Sequence, residues 1–431
     1  MKTMDPQAEE LNAQIRHSHP KVYELLSDRG KRIFFPRLGI VNQSLEAKGK
    51  KIDATIGIAV EDDGTPMRLS SIEKWLRLDP QDAFPYASSY GKPELRKRWQ
   101  DHIREENPSL KSPTTLPVVT CALTHGLSVS GYLFLDPGDQ ILIPDKYWEN
   151  YHLIFENTYG AELVQFHFFK NDHIDIEAFS NALSRLPNKK IVLLTFPNNP
   201  TGYTPTEEEA SQLAECLVQE ARKGHSVLAL VDDAYFGLVY EPGIFKESLF
   251  SLLADAHENL LAVKIDGATK EAYVWGFRVG FLTYGIKGLA PSLAQALEDK
   301  TAGAVRATIS NAPHLSQSLV FRALSSPEYE TEKKEKFALL KRRYETTKQI
   351  LNANPQYREV FIPLPFNSGY FMCIQLLNGL EGEKVRQRLL REYDIGVIAF
   401  GNLLRIAFSA VKEETLPLLF DSIYKACKAL V

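Results

Sequence analysis

The sequence has few cysteines and no long apolar run, and each shortage excludes a class of protein. Its four cysteines are scattered and form no CxxC pair, so we expect buried free thiols and no disulfide framework. No apolar run is long enough to span a bilayer. The first 20 residues carry acids and lack the apolar core of a signal peptide. We therefore expect a cytoplasmic protein that does not bind membranes.

The sequence also lacks a marked excess of one charge. Its formal net charge is −4, which argues against nucleic acid as the main partner. Apolar residues make up 44% and charged residues 24%, as in ordinary globular proteins. Since 431 residues are too many for one ordinary core, we expect two or three domains.

Short apolar runs alternate with helical stretches between about residues 95 and 285. The runs are mostly apolar throughout, as in strands that are buried on both faces. Thr204 and Glu207 predict a capping box at the start of one helix, with Pro205 at its first position. The pattern predicts an α/β fold with a mostly parallel sheet wrapped by helices, which binds ligands at the carboxyl ends of its strands. The candidate strands are Leu116–Leu123, Gln140–Pro144, Glu162–Phe168, Lys190–Phe196, Val227–Val231, Leu260–Ile265 and Val279–Tyr284.

The pattern changes beyond residue 315. The charged stretch Ser326–Ala353 is predicted to be a solvated helix that joins two domains, with a partner-binding face as the alternative. The strand and helix candidates that follow suggest a smaller α+β domain. We place the small domain at residues 1–65 and 320–431 and the large domain at residues 66–319.

Lys270 lies in a loop between two apolar runs, and Arg278 follows it by eight residues. A lysine between two buried strands is costly unless its ammonium has partners or loses its proton. An amine in that state is a nucleophile suited to Schiff-base chemistry, including chemistry with pyridoxal phosphate. A lysine in an ordinary surface loop is the alternative.

Three other strand ends carry polar residues. Gly126 is predicted to open a helix, where free amides and the Ser128 hydroxyl can bind phosphate, although many strand-to-helix turns contain glycine. Asn199 lies in the tight loop FPNNPTG, which points an amide side chain into the predicted cleft. Asp232 ends a buried strand and needs a cationic partner such as a pyridinium nitrogen, or else caps a helix. Tyr235 could donate a hydrogen bond to the phenolic oxygen of the ring whose pyridinium nitrogen Asp232 would bind.

Together these motifs resemble the class I, fold-type I pyridoxal-phosphate aminotransferases, most closely the aspartate and aromatic aminotransferase branch. The resemblance covers about residues 52–410 and rests on PNNPTG, DDAY, the lysine loop and FRVG. It implies that Lys270 carries the cofactor and acts as the general base that moves the Cα proton of the substrate. It also implies that Asp232 and Tyr235 take part in catalysis, with Asp232 stabilising the protonated ring.

Five further positions are assigned through this resemblance alone. Trp148 in KYWENYHLIF is expected to stack on the pyridine ring, and Arg405 in LRIAF to bind the substrate α-carboxylate. Ala59 lies in a loop expected on the substrate side. Tyr86 in YASSYG and Arg306 in VRATISNAP are expected to reach the neighbouring subunit, at its cofactor phosphate and at a distal substrate carboxylate.

The resemblance also implies which residues bind the cofactor. Three positions depart from the branch, one of them Ala59, which replaces a glycine beside the substrate. The usual phosphate-binding serine is replaced by Gly267, so that Thr269 or a backbone amide would take over its contact. Tyr151 stands where the branch has histidine. The expected cofactor-binding residues are Tyr86, Gly126, Leu127, Ser128, Trp148, Asn199, Asp232, Tyr235, Thr269, Lys270 and Arg278, and the expected substrate-binding residues are Ala59, Trp148, Asn199, Arg306 and Arg405.

The implied activity is a ping-pong transfer of the amino group from an acidic or aromatic α-amino acid to a 2-oxo acid such as 2-oxoglutarate. Pyridoxal 5'-phosphate is the expected cofactor, no metal is expected, and the resemblance implies a homodimer with shared active sites. A carbon–sulfur lyase or another eliminase on the same fold is the first alternative. A non-catalytic pyridoxal-phosphate-binding protein is the second, but the first 50 residues contain no basic DNA-binding segment.

Overall fold

The computed structural model describes residues 4–36 and 39–431. We number its strands and helices in chain order. The strands are β1 (Ile52–Asp53), β2 (Val118–Cys121), β3 (Gln140–Pro144), β4 (Glu162–Phe166), β5 (Phe169–Lys170), β6 (His173–Ile174), β7 (Lys189–Thr195), β8 (Ser226–Asp232), β9 (Leu260–Gly267), β10 (Val279–Gly285), β11 (Phe361–Pro363), β12 (Met372–Leu376), β13 (Ile395–Gly396), β14 (Ile398–Phe400) and β15 (Leu403–Ile406). The α-helices are α1 (Pro6–Ser18), α2 (Pro20–Leu25), α3 (Asp28–Arg32), α4 (Ile40–Ala47), α5 (Ser70–Glu73), α6 (Pro80–Ala83), α7 (Pro93–Glu106), α8 (Ala122–Phe134), α9 (Ile176–Arg185), α10 (Glu207–Arg222), α11 (Leu249–Leu253), α12 (Ala268–Glu271), α13 (Pro291–Ile309), α14 (His314–Leu324), α15 (Tyr329–Ala353), α16 (Gly382–Arg388) and α17 (Leu416–Lys428).

A seven-stranded sheet forms the centre of the protein, in the order β2-β10-β9-β8-β7-β3-β4. Neighbouring strands run parallel except for β10, which is antiparallel to both β2 and β9. Each strand overlaps one of the apolar runs that the sequence indicated. The predicted α/β fold with a mostly parallel sheet is therefore confirmed.

Burial on both faces of this sheet explains why its strands are apolar throughout. On β7, Ile191 and Leu193 pack into an apolar cluster that includes side chains of α8. The alternate residues Val192 and Leu194 pack on the other face, in a cluster that includes side chains of α10. Each fully buried side chain of this size contributes about 1.5–3 kcal/mol to folding relative to exposure.

Helix α10 begins two residues later than the sequence suggested. Its N-cap is Thr206, whose hydroxyl accepts a hydrogen bond from the Glu209 amide at 3.1 Å, and the Glu209 carboxylate accepts one from the Thr206 amide at 2.7 Å. The predicted capping box at Thr204 and Glu207 is wrong. Thr204 is buried, and its hydroxyl bonds to that of Ser368 at 2.7 Å, so it serves a tertiary contact instead of a helix cap.

The carboxyl-terminal part contains a second, antiparallel sheet in the order β11-β12-β15-β14. Strand β1 pairs in parallel with β13, so that a segment near the amino terminus lies beside this part. The long helix α15 occupies most of the charged stretch that was expected to be helical. These contacts support the division that we propose, with a small domain at residues 1–65 and 320–431 and a large domain at residues 66–319.

The four cysteines are free thiols, in agreement with their scattered positions. Cys373 and Cys427 are buried, and Cys121 and Cys216 are half-buried. Among the helices of residues 4–36 and 39–431, none has both the length and the apolar character needed to cross a membrane.

Candidate active site

Polar side chains meet at the carboxyl ends of three neighbouring strands. Asp232 is the last residue of β8, which lies between β7 and β9. Thr195 at the end of β7 pairs in register with Asp232, and the loop that follows carries Asn199. Strand β9 ends at Gly267, and the single turn of α12 then presents Lys270. The parallel arrangement therefore gathers residues that are far apart in sequence.

Lys270 is mostly enclosed and lies close to an aromatic ring. Its ammonium nitrogen is 5.1 Å from the centre of the Tyr235 ring. Burial lowers the pKa of Lys270 to about 8; the Arg278 charge adds to this effect, and the Asp232 charge opposes it. The tertiary structure thus brings the amine nearer to the unprotonated form that a nucleophile or a general base requires.

Asp232 is a buried carboxylate, 3% exposed, held by two donors. Its Oδ2 accepts a hydrogen bond from the Tyr151 hydroxyl at 2.6 Å, and its Oδ1 accepts one from the Ala234 amide at 3.1 Å. Burial raises the pKa of Asp232 to about 6, although the Tyr151 hydrogen bond and the Lys270 charge act in the opposite direction. A further cation beside this carboxylate would therefore stabilise its charged form.

Trp148 joins this group of residues through Tyr151. The Trp148 ring is half-buried and lies edge-on to the Tyr151 ring, with 5.6 Å between centres and 81° between planes. Tyr151 itself is buried, and its hydroxyl also bonds to Thr195 Oγ1 at 2.6 Å. Tyr151 therefore connects the Trp148 ring to the Asp232 carboxylate.

Arg405 is a buried cation that forms no ion pair with a carboxylate of the described residues. It is 2% exposed, and its Nη atoms donate to Asn199 Oδ1 at 3.0 Å and to the carbonyl oxygen of Thr55 at 2.9 Å. The guanidinium lies 4.2 Å from the centre of the Phe371 ring. Because a buried charge needs a partner, this arrangement suits an anionic ligand such as a carboxylate.

The amino-terminal end of α8 lies beside the loop of Lys270. A Cβ atom on Gly267 would be 3.1 Å from Leu123 Cδ1, and one on Gly280 would be 2.6 Å from the carbonyl carbon of Ala122. Ala122 has a left-handed φ of 60°, which is uncommon for a residue other than glycine. The first amides of a helix lack partners inside the helix and attract anions. The amides of Ala122, Leu123 and Thr124 are therefore the ones that have no partner within this helix.

The prediction that Gly126 opens the helix is wrong by one turn. Gly126 and Leu127 lie in the second turn of α8, where backbone amides bond within the helix. A Cβ on Gly126 would be 3.1 Å from Ile265 Cγ2, which shows that this glycine faces the sheet. Ser128 Oγ bonds to the Tyr159 hydroxyl at 2.9 Å. We therefore move the proposed phosphate contacts from Gly126, Leu127 and Ser128 to the turn that begins at Ala122.

Gly267 replaces the usual phosphate-binding serine, and the packing around it and around Thr269 shows why. A Cβ at Gly267 would lie 2.6 Å from the carbonyl oxygen of Val279 and 2.8 Å from Gly280 Cα, so no side chain can be placed there without moving β10. The Thr269 hydroxyl is buried and has no hydrogen-bond partner among the described residues. Arg278 is exposed, adopts a left-handed φ of 57° and donates to the carbonyl oxygen of Trp275 at 3.3 Å.

The expected substrate-side residue Ala59 lies inside a packed loop. It is fully buried, and its carbonyl oxygen accepts a hydrogen bond from the Met67 amide at 3.1 Å. Gly57, two residues earlier in the same loop, lies near the site, since a Cβ there would be 3.9 Å from the Tyr235 hydroxyl and 3.5 Å from Phe371 Cζ. Ala59 therefore stays a proposed substrate-side residue on a loop that passes beside these two rings.

Tyr86 and Arg306 lie on the surface of the chain. Tyr86 is 90% exposed, and Arg306 is exposed near the end of α13. The Arg306 Nη1 atom donates to Ser310 Oγ at 2.8 Å, and Ser89 Oγ donates to the Ser310 carbonyl oxygen at 2.8 Å. The two segments that carry Tyr86 and Arg306 therefore share one surface.

Several contacts at the site have no signature in the sequence. The carbonyl oxygen of Thr55 binds Arg405 through the backbone, which any residue could provide. Phe371 and Tyr370 come from the carboxyl-terminal part, and the Tyr370 hydroxyl donates to the Lys270 carbonyl oxygen at 3.2 Å. Of these contacts, the sequence pointed only to that of Tyr151, because a tyrosine replaces the usual histidine. In the structure its hydroxyl donates to Asp232.

Comparison with known proteins agrees with this geometry. A family model described as aminotransferase class I and II matches residues 56–423. The cytoplasmic aspartate aminotransferase of Saccharomyces cerevisiae is 26% identical over 298 residues, which are 66% of this chain and 69% of that protein. A probable N-acetyl-LL-diaminopimelate aminotransferase of Bacillus subtilis is 29% identical over 201 residues, about half of either chain (46% and 47%).

Solved structures extend the similarity to almost the whole chain. The crystal structure of an aminotransferase from Anaerococcus prevotii superposes with a TM-score of 0.82 at 22% sequence identity. The superposition covers 94% of this chain and 99% of that one. At this level of identity the likeness concerns the fold.

Proposed function

The chain belongs to the class I and II aminotransferases, which depend on pyridoxal phosphate, and we propose that it transfers the amino group of an acidic or aromatic α-amino acid to a 2-oxo acid such as 2-oxoglutarate. One observation carries the choice of an α-amino acid. The buried guanidinium of Arg405, which no carboxylate of the described residues pairs, lies at the same strand ends as Lys270 and Asp232. A carboxylate of the substrate is a suitable counter-ion for it.

The residues at the strand ends suit pyridoxal phosphate. Within the described part of the chain, the buried Asp232 carboxylate forms no ion pair, and the only positive charge that acts on it is that of the more distant Lys270, which suits a group that binds a ring nitrogen. The buried Thr269 hydroxyl lacks a partner in the described part of the chain, and the first turn of α8 offers free amides; both suit a phosphate group. We propose that these groups and Arg278 hold the phosphate, while Asp232 and Trp148 hold the ring. The bound cofactor supplies an aldehyde and an electron-withdrawing ring.

The proposed roles of the protein residues follow from their positions. Arg405 binds the α-carboxylate through its guanidinium and orients the Cα–H bond toward Lys270. The Lys270 amine takes the proton from Cα, which its pKa of about 8 favours near neutral pH. Asn199 orients Arg405 through their 3.0 Å hydrogen bond, and Tyr235 lies under the Lys270 amine.

The proposed substrate class and assembly are supported by one relative and by the surface of the chain. The Saccharomyces cerevisiae relative is named an aspartate aminotransferase, which favours an acidic amino acid. We propose that Arg306 of a second subunit holds the distal carboxylate and that Tyr86 of that subunit binds the cofactor phosphate. The support is the exposure of Tyr86 and its common surface with Arg306. A homodimer with shared active sites follows from this proposal.

A spectral titration of the purified, cofactor-loaded protein tests the function. Each amino acid of a panel of acidic, aromatic, aliphatic and basic members is added, and conversion of the cofactor to its amine form is followed by absorbance. We expect conversion by an acidic or aromatic amino acid and reversal by 2-oxoglutarate. Lys270→Ala is the inactive control, and Arg405→Lys, which cannot make the bidentate contact, should raise the half-saturating amino-acid concentration. Release of ammonia and pyruvate from a cysteine conjugate without any 2-oxo acid would contradict the proposal.

A further inference from the structure

A buried charged cluster lies directly behind Lys270. The next residue, Glu271, is 9% exposed, and its Oε1 lies 2.5 Å from His102 Nε2 on α7 and 2.9 Å from Lys333 Nζ on α15. His102 is 2% exposed, and its ring centre is 5.1 Å from that of Trp99. The proposed chemistry at the strand ends uses neither His102 nor Lys333.

The cluster resembles a metal site in its residue types. His102, Glu106 and Glu271 place ligand atoms within 4.8 Å of one another. The Lys333 ammonium, however, lies 2.9 Å from Glu271 Oε1 and 3.6 Å from Glu106 Oε1. A lysine thus already fills the place of a cation between the two carboxylates. We therefore interpret the cluster as an ion network that holds Glu271 in place.

Glu271 ties down the short turn that carries Lys270. Helix α12 spans only Ala268–Glu271 and has no side-chain hydrogen bond at its N-cap, so its own structure gives it little rigidity. On another side, the Tyr370 hydroxyl donates to the Lys270 carbonyl oxygen at 3.2 Å. Successive side chains of a helical turn point roughly 100° apart. Fixing the Glu271 side chain therefore also fixes the direction in which Lys270 leaves the backbone.

We propose that Glu271 is a positioning residue for Lys270. Its carboxylate, held by His102 and Lys333, sets the orientation of the turn from which the Lys270 amine reaches the Cα proton of the substrate. Proton transfer requires that the amine lie within hydrogen-bonding reach of its target, so a small rotation of this turn slows the reaction. Burial alone would raise the pKa of the Glu271 carboxyl, but the charges of Lys333 and His102 hold it well below its usual range. Glu271 therefore stays charged and anchored.

Glu220 provides a matched control for this role. It is 4% exposed and lies 3.4 Å from Lys190 Nζ and 2.7 Å from His225 Nδ1, so it has the same types of partner as Glu271. Lys190 is near the start of β7, and His225 immediately precedes β8. Lys270 follows the carboxyl end of β9, which is parallel to β8. This second cluster therefore lies at the amino ends of the strands, opposite to Lys270.

The test compares Glu271→Gln with Glu220→Gln in the cofactor-loaded enzyme. We measure Tm, kcat, KM, the isotope effect with an α-deuterated amino acid, and the pH midpoint of the cofactor's absorbance change. Both variants should lose similar stability, since each removes the nearest carboxylate of a lysine that is largely shielded from solvent. Only Glu271→Gln should lower kcat, by about 10- to 100-fold, with KM little changed, a larger isotope effect and a shifted midpoint. Wild-type kcat and midpoint in Glu271→Gln would overturn the proposal.

A double variant keeps the test decisive if the single variant does not fold. Glu271→Gln with Lys333→Met removes both ions of the closest contact, while the Glu106 carboxylate stays partly exposed to solvent, so the double variant should fold better than either single change. We expect the same loss of kcat as in Glu271→Gln, because the two residues act as one anchor. Lys333→Arg keeps the cation and should retain most of the wild-type kcat. A double variant with wild-type kcat would overturn the positioning role.

Discussion

The Tyr151 hydroxyl donates a hydrogen bond of 2.6 Å to Asp232 Oδ2 and lies 2.6 Å from Thr195 Oγ1. The aspartate aminotransferase branch that this chain resembles has histidine at this position. Here the phenol of Tyr151 makes the hydrogen bond to Asp232 instead. Burial raises the pKa of Tyr151 well above its ordinary value. Tyr151 therefore stays neutral across the physiological range and offers Asp232 a donor that does not change with pH, whereas a histidine would titrate.

Tyr151→Phe should weaken cofactor binding at acidic pH. Without the phenol hydrogen bond, the pKa of Asp232 in the cofactor-free protein should rise above its value of about 6. The pH at which pyridoxal phosphate binding is half lost should then move upward by up to about one unit, or about 1.4 kcal/mol. Fluorescence titration of the cofactor between pH 5 and pH 8 measures this shift. Thr195→Val, which leaves the Tyr151–Asp232 bond in place, should shift it less, and an unshifted midpoint in Tyr151→Phe would contradict the assignment.

Asp232→Asn should stabilise the cofactor-free protein while it abolishes activity. Burial raises the pKa of Asp232 from 3.8 to about 6, so the folded state binds a proton more tightly than the unfolded state does. The free energy of unfolding therefore falls by about 3 kcal/mol as the pH rises from about 4 to about 6. It stays at this lower value at higher pH. Urea unfolding at pH 8 should show the variant more stable, by on the order of 1–3 kcal/mol. A variant that is less stable than wild type at pH 8 would contradict this prediction.

Local sequence was sufficient to find the residues that lie directly at strand ends. Asp232 ends an apolar strand, Lys270 and Asn199 each follow one, and in a parallel sheet those ends meet. The order of the strands could not be predicted from the runs alone, because pairing between distant segments such as β1 and β13 leaves no local pattern. The seven central strands were recognisable because burial on both faces makes them apolar throughout.

The residues at which helices begin were the part of the structure that the sequence predicted least well. The start of α8 depends on Ala122 adopting a left-handed φ of 60°, which an alanine does not signal. The glycine at position 126 looked like a helix start, but close packing on Ile265 explains it instead. In the same way, Thr204 looked like an N-cap although its hydroxyl bonds to Ser368 in a distant segment. Tertiary contacts decide such positions, and a single sequence does not contain them.

The pair Gly267 and Thr269 offers a test of how the phosphate is held. Gly267→Ser, which introduces the serine usual in the family, should destabilise the protein by roughly 1–3 kcal/mol because its Cβ would lie 2.6 Å from the Val279 carbonyl oxygen. Thr269→Val keeps the shape but removes the unpartnered hydroxyl, and it should weaken cofactor binding about 5- to 10-fold with little change in Tm. Thermal unfolding and equilibrium binding of pyridoxal phosphate measure both effects. Tighter cofactor binding by Gly267→Ser would contradict this explanation.

Two inactive variants should restore activity to each other if the active site is shared between subunits. Lys270→Ala removes the amine of its own site but leaves Tyr86 and Arg306 available to a partner. A second variant with Tyr86→Ala and Arg306→Ala keeps Lys270 but supplies neither residue. Both of these side chains are exposed on the isolated chain, so their removal should not reduce stability measurably.

In a hybrid dimer of these two chains, one site combines Lys270 with the intact Tyr86 and Arg306 of the other subunit. If the chains mix at random, half of the dimers are hybrids with one complete site, so the mixture should reach about a quarter of wild-type activity. The assay is run after denaturing and refolding equal amounts of both chains together, with each chain refolded alone as the control. An activity equal to the sum of the two separate controls would show that each chain completes its own site, and it would contradict the shared arrangement.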